Sequence, residues 1–414
     1  MGVLSKIRNS IFRTEIEGVQ QRDTYVGYAS GDWAYRLLPQ PSASGVAVTP
    51  EVAIGIATVY ACIAKISATI AQLPVELIDT NGGKFTKIKD NRTYLLNISP
   101  DNNENAFKSR ELMYAGMLLF GGSMYEIERD RRTGEAIKLR RVERTVEHPE
   151  KMVAKDGQTL WKLKHGNEYR YVFGRDMVIF EYLFGRGPGQ VSKETIGILK
   201  AAQDYAVKFF AGGGVMDGLL TSEQNLKGTQ INEFVETWEK QRGKQTRMLP
   251  FGLKYQRLGV EPDKAQNTAS REYQSKEVCQ IFGIDPRMIG IVDGSAYKST
   301  EEASNHYAVH TITPLVNRLE SELNFKLLFE GERQNLYFRH NMDELVRGDM
   351  KTRAEVQDMQ LKNGTRNINE VRSTDLLNEI EGGGVHLAQV NQIDIKEMSK
   401  YSKKIASTAD AGNN

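Results

Sequence analysis

The chain has 414 residues, of which 40% are hydrophobic and 8% aromatic, enough apolar material for one or more buried cores. Its 55 Lys and Arg against 53 Asp and Glu leave a formal charge of +2, so no global excess marks a nucleic-acid or membrane binder, and any DNA contact must be local. The two cysteines, Cys62 and Cys279, stand far apart in apolar helical patterns, which suits a reduced, cytosolic fold and excludes a disulfide scaffold or a cysteine-based zinc site.

The first twelve residues lack the apolar block and cleavage site of a signal peptide, and Lys6 stands where a myristoylation signal needs Ser or Thr. Residues 1–48 are expected to form an arm: a short basic helix pattern through Leu4, Ile7 and Ile11, then Gly, Ser, Pro and aromatics without a period. A helix is predicted over about 50–72, where Val59, Cys62, Ile63, Ile66, Ile70 and Leu73 recur at helical spacing and Thr58, Lys65, Thr69 and Gln72 face elsewhere. The polar face makes this stretch unfit to span a bilayer, so the chain is expected to be soluble. Pro74 ends the helix, and Asn81-Gly82-Gly83 between two short apolar runs predicts a hairpin. A second helix is predicted over 106–120, closed by Gly121-Gly122. From 124 to 183 short strands with turns at Thr133-Gly134, Asp156-Gly157 and Gly166-Asn167 read as a β meander.

Three glycines and a proline within 185–189 close that region, and a long helix follows over 193–210, stopped by Gly212-Gly213-Gly214. A compact excursion of about 45 residues comes next, with strands near 219–220, 248 and 253–258 and a helix over 230–241. A helix over 268–282 leads into a Gly-rich loop at 284–299. The helix predicted from Thr300 to about Phe329 contains Pro314, which removes a backbone hydrogen bond and must bend it. After a strand at 336–340 the chain is helical and charged from 346 to about 380, and the last 25 or so residues lose periodicity.

Catalytic chemistry finds little support. In Gly294-Ser-Ala-Tyr-Lys298-Ser299 the aromatic Tyr297 occupies the position where a phosphate loop needs Gly. His306 and His310 share a helix face but enclose Tyr-Ala-Val, without the Glu of a zinc protease or a third ligand. Asp343, Glu344 and Asp349 alternate with Arg347, as helix-start charges do, and read as surface charge ahead of a magnesium site. No catalytic residue, metal or cofactor is therefore assigned. Basic charge concentrates in 240–257 (Lys240, Arg242, Lys244, Arg247, Lys254 and Arg257, with no acid) and in 129–144 (Arg129, Arg131, Arg132, Lys138, Arg140, Arg141 and Arg144 against three acids). Either stretch suits phosphates or an acidic protein, and equally a solvated surface or half of a salt-bridge seam between subunits.

Six runs in order carry a resemblance: VYACIAKISATIAQLPVEL (59–77), LLFGGSMY (118–125), VCQIFGIDPRMIG (278–290), YKSTEE (297–302), TITPLVNRLESELN (311–324), and Asn363-Gly364 with Asn369-Glu370-Val371-Arg372. Together they span about 50–375, and the chain resembles the portal proteins of tailed double-stranded DNA bacteriophages. The resemblance implies an α+β fold of wing, stem, clip, tunnel loop and crown. It maps onto this chain as an arm (1–48), a wing (49–190), stem helix 1 (191–212), a clip (213–260), stem helix 2 (261–283), a tunnel loop (284–299), a kinked wing helix and strand (300–345), a crown (346–390) and a flexible tail (391–414).

It further implies a non-enzymatic ring, typically a dodecamer, at one capsid vertex of the virion after assembly in the host cytoplasm. The ring would be a channel for DNA packaging and ejection that passes duplex DNA without sequence preference. The expected partners are further copies of the chain, the terminase large subunit, a head-tail adaptor and the major capsid protein, with no membrane. In the loop, Arg287, Tyr297 and Lys298 would surround DNA, with Gly283, Gly290 and Gly294 as hinges. The basic residues of 240–257 would dock terminase and adaptor. The alternatives are another head-tail connector ring, which would lack the inserted clip and loop, and a metal-dependent nucleic-acid-processing enzyme, which would need convergent carboxylates.

Overall fold

The computed structural model describes residues 40–83, 85–154, 157–211, 218–222, 228, 231–233, 235–236, 253–257, 264–291, 300–342, 345, 350–375 and 377–386. The chain divides into two compact units, Met1–Met342 and Asp343–Asn414. In the second, helices cover Met350–Lys362 and Ile368–Thr374, the latter started by a capping box between Asn367 and Glu370.

In the first unit the end of the expected arm is ordered: strands β1 (Gln40–Pro41) and β2 (Ala47–Val48) pair as a hairpin. The helix expected over 50–72 is two helices, α1 (Pro50–Ile54) and α2 (Ala57–Ala71), parted at Gly55 and an extended Ile56. The apolar stripe of α2 is buried as its spacing predicts: Val59, Cys62, Ile66 and Ile70 are all removed from solvent. Strands β3 (Val75–Asp79) and β4 (Thr86–Ile88) flank the Asn-Gly-Gly turn. Helices α3 (Asn91–Asn97) and α4 (Ala106–Phe120) follow, and α4 packs along α2.

The region expected to be one meander is two sheets. Strands β5 (Gly122–Arg129) and β6 (Ala136–Arg141) form a hairpin, and β10 (Met177–Glu181) returns to pair antiparallel with β5. Between them a short helix, α5 (Arg144–Glu147), precedes a separate sheet of β7 (Glu150–Val153), β8 (Thr159–His165) and β9 (Glu168–Phe173). Trp161, Leu163 and Val172 of this sheet share a buried cluster with Met124, Val142 and Met177. Turn residues announce each reversal but say nothing about which later strand pairs with which earlier one.

After the short helix α6 (Pro188–Val191) come α7 (Lys193–Ala211), the antiparallel pair β11 (Gly218–Ser222) and β12 (Leu253–Arg257), and α8 (Lys264–Phe282). The long helix predicted from Thr300 is α9 (Thr300–His306), a six-residue π segment (Tyr307–Ile312) and α10 (Thr313–Leu327). The wide turn falls immediately before Pro314: the Ala308 carbonyl accepts from both the backbone N–H and the hydroxyl of Thr313.

Helix α10 holds two sheets at once. Leu315, Val316, Leu319, Leu323 and Leu327 form its buried stripe, and it packs against β10 and against β13 (Leu336–His340), which pairs with β3. Strands β13 and β10 are each the end strand of their sheet. Glu320 accepts from the His340 N–H at 2.6 Å, Asn324 from the Phe338 N–H at 2.6 Å, and Glu322 from the Ile179 N–H at 3.1 Å. Two exposed sheet edges are thereby closed by one helix.

Two chain crossings depend on glycine. Gly121 caps α4 in the left-handed region (φ 80°), and a Cβ there would lie 2.1 Å from the Gly185 carbonyl oxygen; one on Gly187 would lie 2.3 Å from the Leu118 carbonyl oxygen. The backbones cross too closely for any side chain.

Candidate functional site

Helices α7 and α8 pack together. The start of α7 is embedded: Thr195, Ile196 and Leu199 are buried, and the β1–β2 hairpin lies on it, with the Ala43 N–H donating to Glu194 at 2.7 Å and Ser42 against Gly197. The end of α8 is embedded in turn, with Val278, Cys279 and Phe282 buried and the helix packed on α2. Away from the body both helices lose cover while keeping apolar side chains: Tyr205 and Val207 on α7 are exposed, and Tyr273 on α8 is 71% exposed. The connection between them includes the β11–β12 pair, in which Lys254 stands opposite Thr221 and Arg257 opposite Gly218. Lys240, Arg242, Lys244 and Arg247 lie outside the described residues.

Past α8 the chain turns at Gly283 (φ 69°), whose carbonyl accepts from the Thr311 hydroxyl of the π segment. Asp285 then starts a 3-10 turn over Pro286–Ile289 that ends at Gly290 (φ 85°). Asp285 accepts the Arg287 backbone N–H at 2.9 Å, and the guanidinium returns on the same carboxylate through Nε at 2.9 Å and Nη2 at 2.7 Å. These bonds hold the Asp285 carboxyl below its ordinary pKa. The guanidinium expected to face DNA is thus engaged by its own turn within the single chain, and the base of the loop is a built structure. Gly294, Tyr297 and Lys298 lie outside the described residues.

The 129–144 basic stretch is largely neutralised inside the body. Arg129 bonds Asp176 at 2.9 Å and also donates to the carbonyls of Gly134 and Lys326; Arg140 bridges Glu126 and Glu147, which Arg170 joins; Arg141 pairs with Glu104 and Glu143. These arginines are paired within their own chain, which is neither a freely solvated surface nor the half of an intersubunit seam read from the sequence. Sequence reasoning did not find the groove of about 580 Å³ where the β5–β6 turn meets the end of α10, lined by Arg131, Arg175, Lys326 and Arg333 with the exposed rings of Phe325 and Phe329. Its residues come from three separated segments, and only the folded chain brings them together.

His306 and His310 are exposed, with ring centroids 4.5 Å apart. Among the described residues no group of three or more His, Cys, Asp or Glu side chains gathers as a metal site requires, and no helix is long and apolar enough to cross a membrane. Asp343, Glu344 and Asp349 lie outside those residues.

Known proteins share this fold. Residues 57–375 match the family model described as phage portal protein. The portal protein of Enterobacteria phage HK97 is 26% identical over 366 residues, 85% of each chain. Among solved structures, an HK97-family phage portal protein from Corynebacterium diphtheriae superposes with a TM-score of 0.57 at 13% identity, over 73% of this chain and 99% of that one. A chain from the neck of a native gene transfer agent particle, computed with C12 symmetry, gives 0.50 at 15% identity over 79% and 91%. With the α+β portal fold present and the family model covering most of its length, this chain belongs to the phage portal protein family.

Proposed function

We propose that the protein forms a closed ring at one capsid vertex, through which DNA enters during packaging and leaves on ejection. The observation that carries the reading is the loss of cover along α7 and α8: Tyr205, Val207 and Tyr273 are solvent-exposed where two helices stand clear of the body. A single copy leaves these surfaces bare, and identical neighbours related by rotation would cover them. The relative in a particle neck computed with C12 symmetry makes twelve the expected number of copies.

In this reading residues 49–190 and 300–345 are the wing, α7 and α8 the stem, 213–260 the clip, 284–299 the tunnel loop and 346–390 the crown. The ring hydrolyses nothing; a terminase docked on the clip drives DNA, and the adaptor replaces it later. The charge of +2 suits a passage that must not hold phosphates tightly, because each fixed contact adds salt-dependent affinity that would stall sliding. The bond between Arg287 and Asp285 supports a role for Arg287 in shaping the loop base, and in this reading Lys298 makes the direct phosphate contact, with Tyr297 as a steric element.

The test is light scattering and cryo-electron microscopy of the purified full chain: closed rings with an axial hole support the proposal, and a compact monomer at all concentrations rejects it. Particles assembled with Arg287→Ala or Lys298→Ala should lose packaged DNA, and unchanged retention rejects the loop roles. Charge reversal at Lys244 and Arg247 should abolish adaptor binding and leave rings intact.

A further inference from the structure

The groove beside the end of α10 has three walls: the β5–β6 turn, the last turn of α10 with the chain beyond it, and the 3-10 turn Gly174–Asp176 that leads into β10. One guanidinium ties them together. Arg129 donates from Nε to Asp176 at 2.9 Å, from Nη1 to the Gly134 carbonyl at 3.1 Å and from Nη2 to the Lys326 carbonyl at 2.7 Å, one bond to each wall. The Lys326 ammonium crosses back to the Gly174 carbonyl, and the β5–β6 turn is set by Asp130, which accepts the N–H groups of Arg132 and Thr133. Hydrogen bonds within the chain therefore hold the shape of the groove, and a ligand meets it preformed.

Its lining combines open rings with open cations. Phe325 and Phe329 are 58% and 43% exposed, and the Phe329 ring lies against the turn, 3.6 Å from where a Cβ on Gly134 would stand. Beside the rings Arg131, Arg175 and Arg333 are exposed. Arg333 spends one donor on the Phe325 carbonyl at 2.6 Å, and Arg175 stands 3.7 Å from Asp176. Among the described residues neither Arg131 nor Arg333 has a carboxylate partner. Asp130 is taken up by its own turn and Asp176 by Arg129, so the five cations of the lining outweigh its three carboxylates. Aromatic side chains interleaved with arginines in a concave surface are what protein interfaces concentrate.

We propose that this groove binds an acidic peptide segment of a partner protein, with an aromatic or aliphatic side chain seated against Phe325 and Phe329 and neighbouring carboxylates paired to Arg131, Arg175 and Arg333. The planar guanidinium fork matches a carboxylate through two parallel bonds. The rings favour a peptide over a nucleic-acid strand: Arg333 and Lys326 already stand over Phe325, 4.9 and 5.2 Å from its centroid, where a base would stack. A volume of about 580 Å³ takes a few side chains, and Glu330 and Asp176 in the walls oppose a continuous run of phosphates. The site uses no residue of α7 or α8, so it goes beyond the ring reading and stands whether or not copies assemble.

The probe is a short synthetic peptide of Asp and Glu around one Trp, labelled with fluorescein, and its binding to the purified full chain is followed by fluorescence anisotropy. Saturable binding is expected, weakening as salt is added. Arg131→Glu combined with Arg175→Glu should weaken it about tenfold or more, as should Phe329→Ser. Lys151→Glu reverses an exposed charge on β7, outside the groove, and should bind as the parent does. A photo-crosslinking group in place of the Trp should mark residues 129–134 or 325–333 of the unaltered chain, a readout that needs no variant to fold. Absence of saturable binding, equal weakening by Lys151→Glu, or crosslinks confined to other segments would each overturn the proposal. Displacement of the peptide by a lower concentration of oligothymidylate would make the groove a nucleic-acid site instead, and a changed oligomeric state in the Arg131 and Arg175 reversal would make it a contact between copies. Light scattering on the same samples keeps the two readings apart: a monomer that binds the peptide supports the groove and rejects the ring, and rings that ignore it do the reverse.

Discussion

The α+β body and the helix pair α7–α8 bury themselves by opposite means. In the body, sheet edges and charges find partners within the same chain: α10 closes the edges of β10 and β13 with Glu322, Glu320 and Asn324, and Arg129, Arg140 and Arg141 are matched to carboxylates. The helix pair is anchored at its root by buried Ile196, Leu199, Val278 and Phe282 and left bare beyond. If the proposed ring forms, the fold has a self-sufficient part, whose substitutions cost stability, and a part completed by neighbours, whose substitutions cost assembly. Measuring both quantities on the same variants tests that division.

The largest loss of stability is expected at Gly121. A Cβ would sit 2.1 Å from the Gly185 carbonyl oxygen in a backbone with φ 80°, so Gly121→Ala must displace backbone as well as strain it. The cost is at least about 3 kcal/mol. Urea denaturation followed by tryptophan fluorescence should show the variant unfolded or shifted by that amount, and a shift below about 1 kcal/mol would break the picture of a rigid crossing.

Glu320 comes next. Its carboxylate accepts both the backbone N–H of His340 at 2.6 Å and ring Nδ1 at 3.0 Å. Glu320→Ala strands two polar groups beside a side chain that is wholly buried, at a cost of about 2–4 kcal/mol. Glu320→Gln keeps an acceptor for the backbone and should lose less in the same denaturation experiment.

How far these features could be read in advance depends on the range of the interaction. The stripe of Val59, Cys62, Ile66 and Ile70 was legible because a helix core is written at a spacing of three and four residues, and the turn at Asn81-Gly82-Gly83 because its chemistry is local. The break at Gly55–Ile56 escaped the same reading because the apolar period runs on across it. Pro314 pointed to an interruption of the helix, but not to a π turn running from Tyr307 up to it. The family runs were visible as strings, and the structure supplies their physics: Gly121 is a backbone crossing, Asp285 and Arg287 form a closed turn, and Glu320 and Asn324 cap a sheet edge. The Gly121 crossing and the sheet-edge contacts each involve a second segment, and one chain read alone carries no record of such pairs, whereas the Asp285–Arg287 turn is local. The clip and loop assignments had only the resemblance behind them.

A smaller effect, set by pH, is expected at His340. Burial holds its imidazole neutral and its pKa below the ordinary value, with the Glu320 carboxylate opposing and Arg110 reinforcing the shift. The unfolded chain binds a proton as pH falls below about 6.5, where the native ring resists it. Stability contributed by the neutral ring is therefore complete above that pH and declines below it. The slope between pH 6.5 and 5 should be shallower in His340→Asn than in the parent by at most about 1.4 kcal/mol per pH unit, the limit for one proton. Identical slopes would mean that the native state protonates this ring as readily as the unfolded chain does.

The smallest change in single-chain stability, and the largest in assembly, is expected on the bare helix surfaces. Tyr273 is 71% exposed and Val207 59% exposed, so Tyr273→Asp and Val207→Asp remove little buried area and should shift the urea midpoint by no more than about 0.5 kcal/mol. In a ring the same positions are repeated in every copy, and a carboxylate pressed into an apolar seam between neighbours must be desolvated there or hold the seam open. Light scattering of these two variants should therefore report single chains where the parent gives rings, with circular dichroism unchanged. If both assemble as the parent does, the bare faces of α7 and α8 are not the contact between copies. If both unfold, the helix pair belongs to the self-sufficient part after all, and the division between the two regions fails.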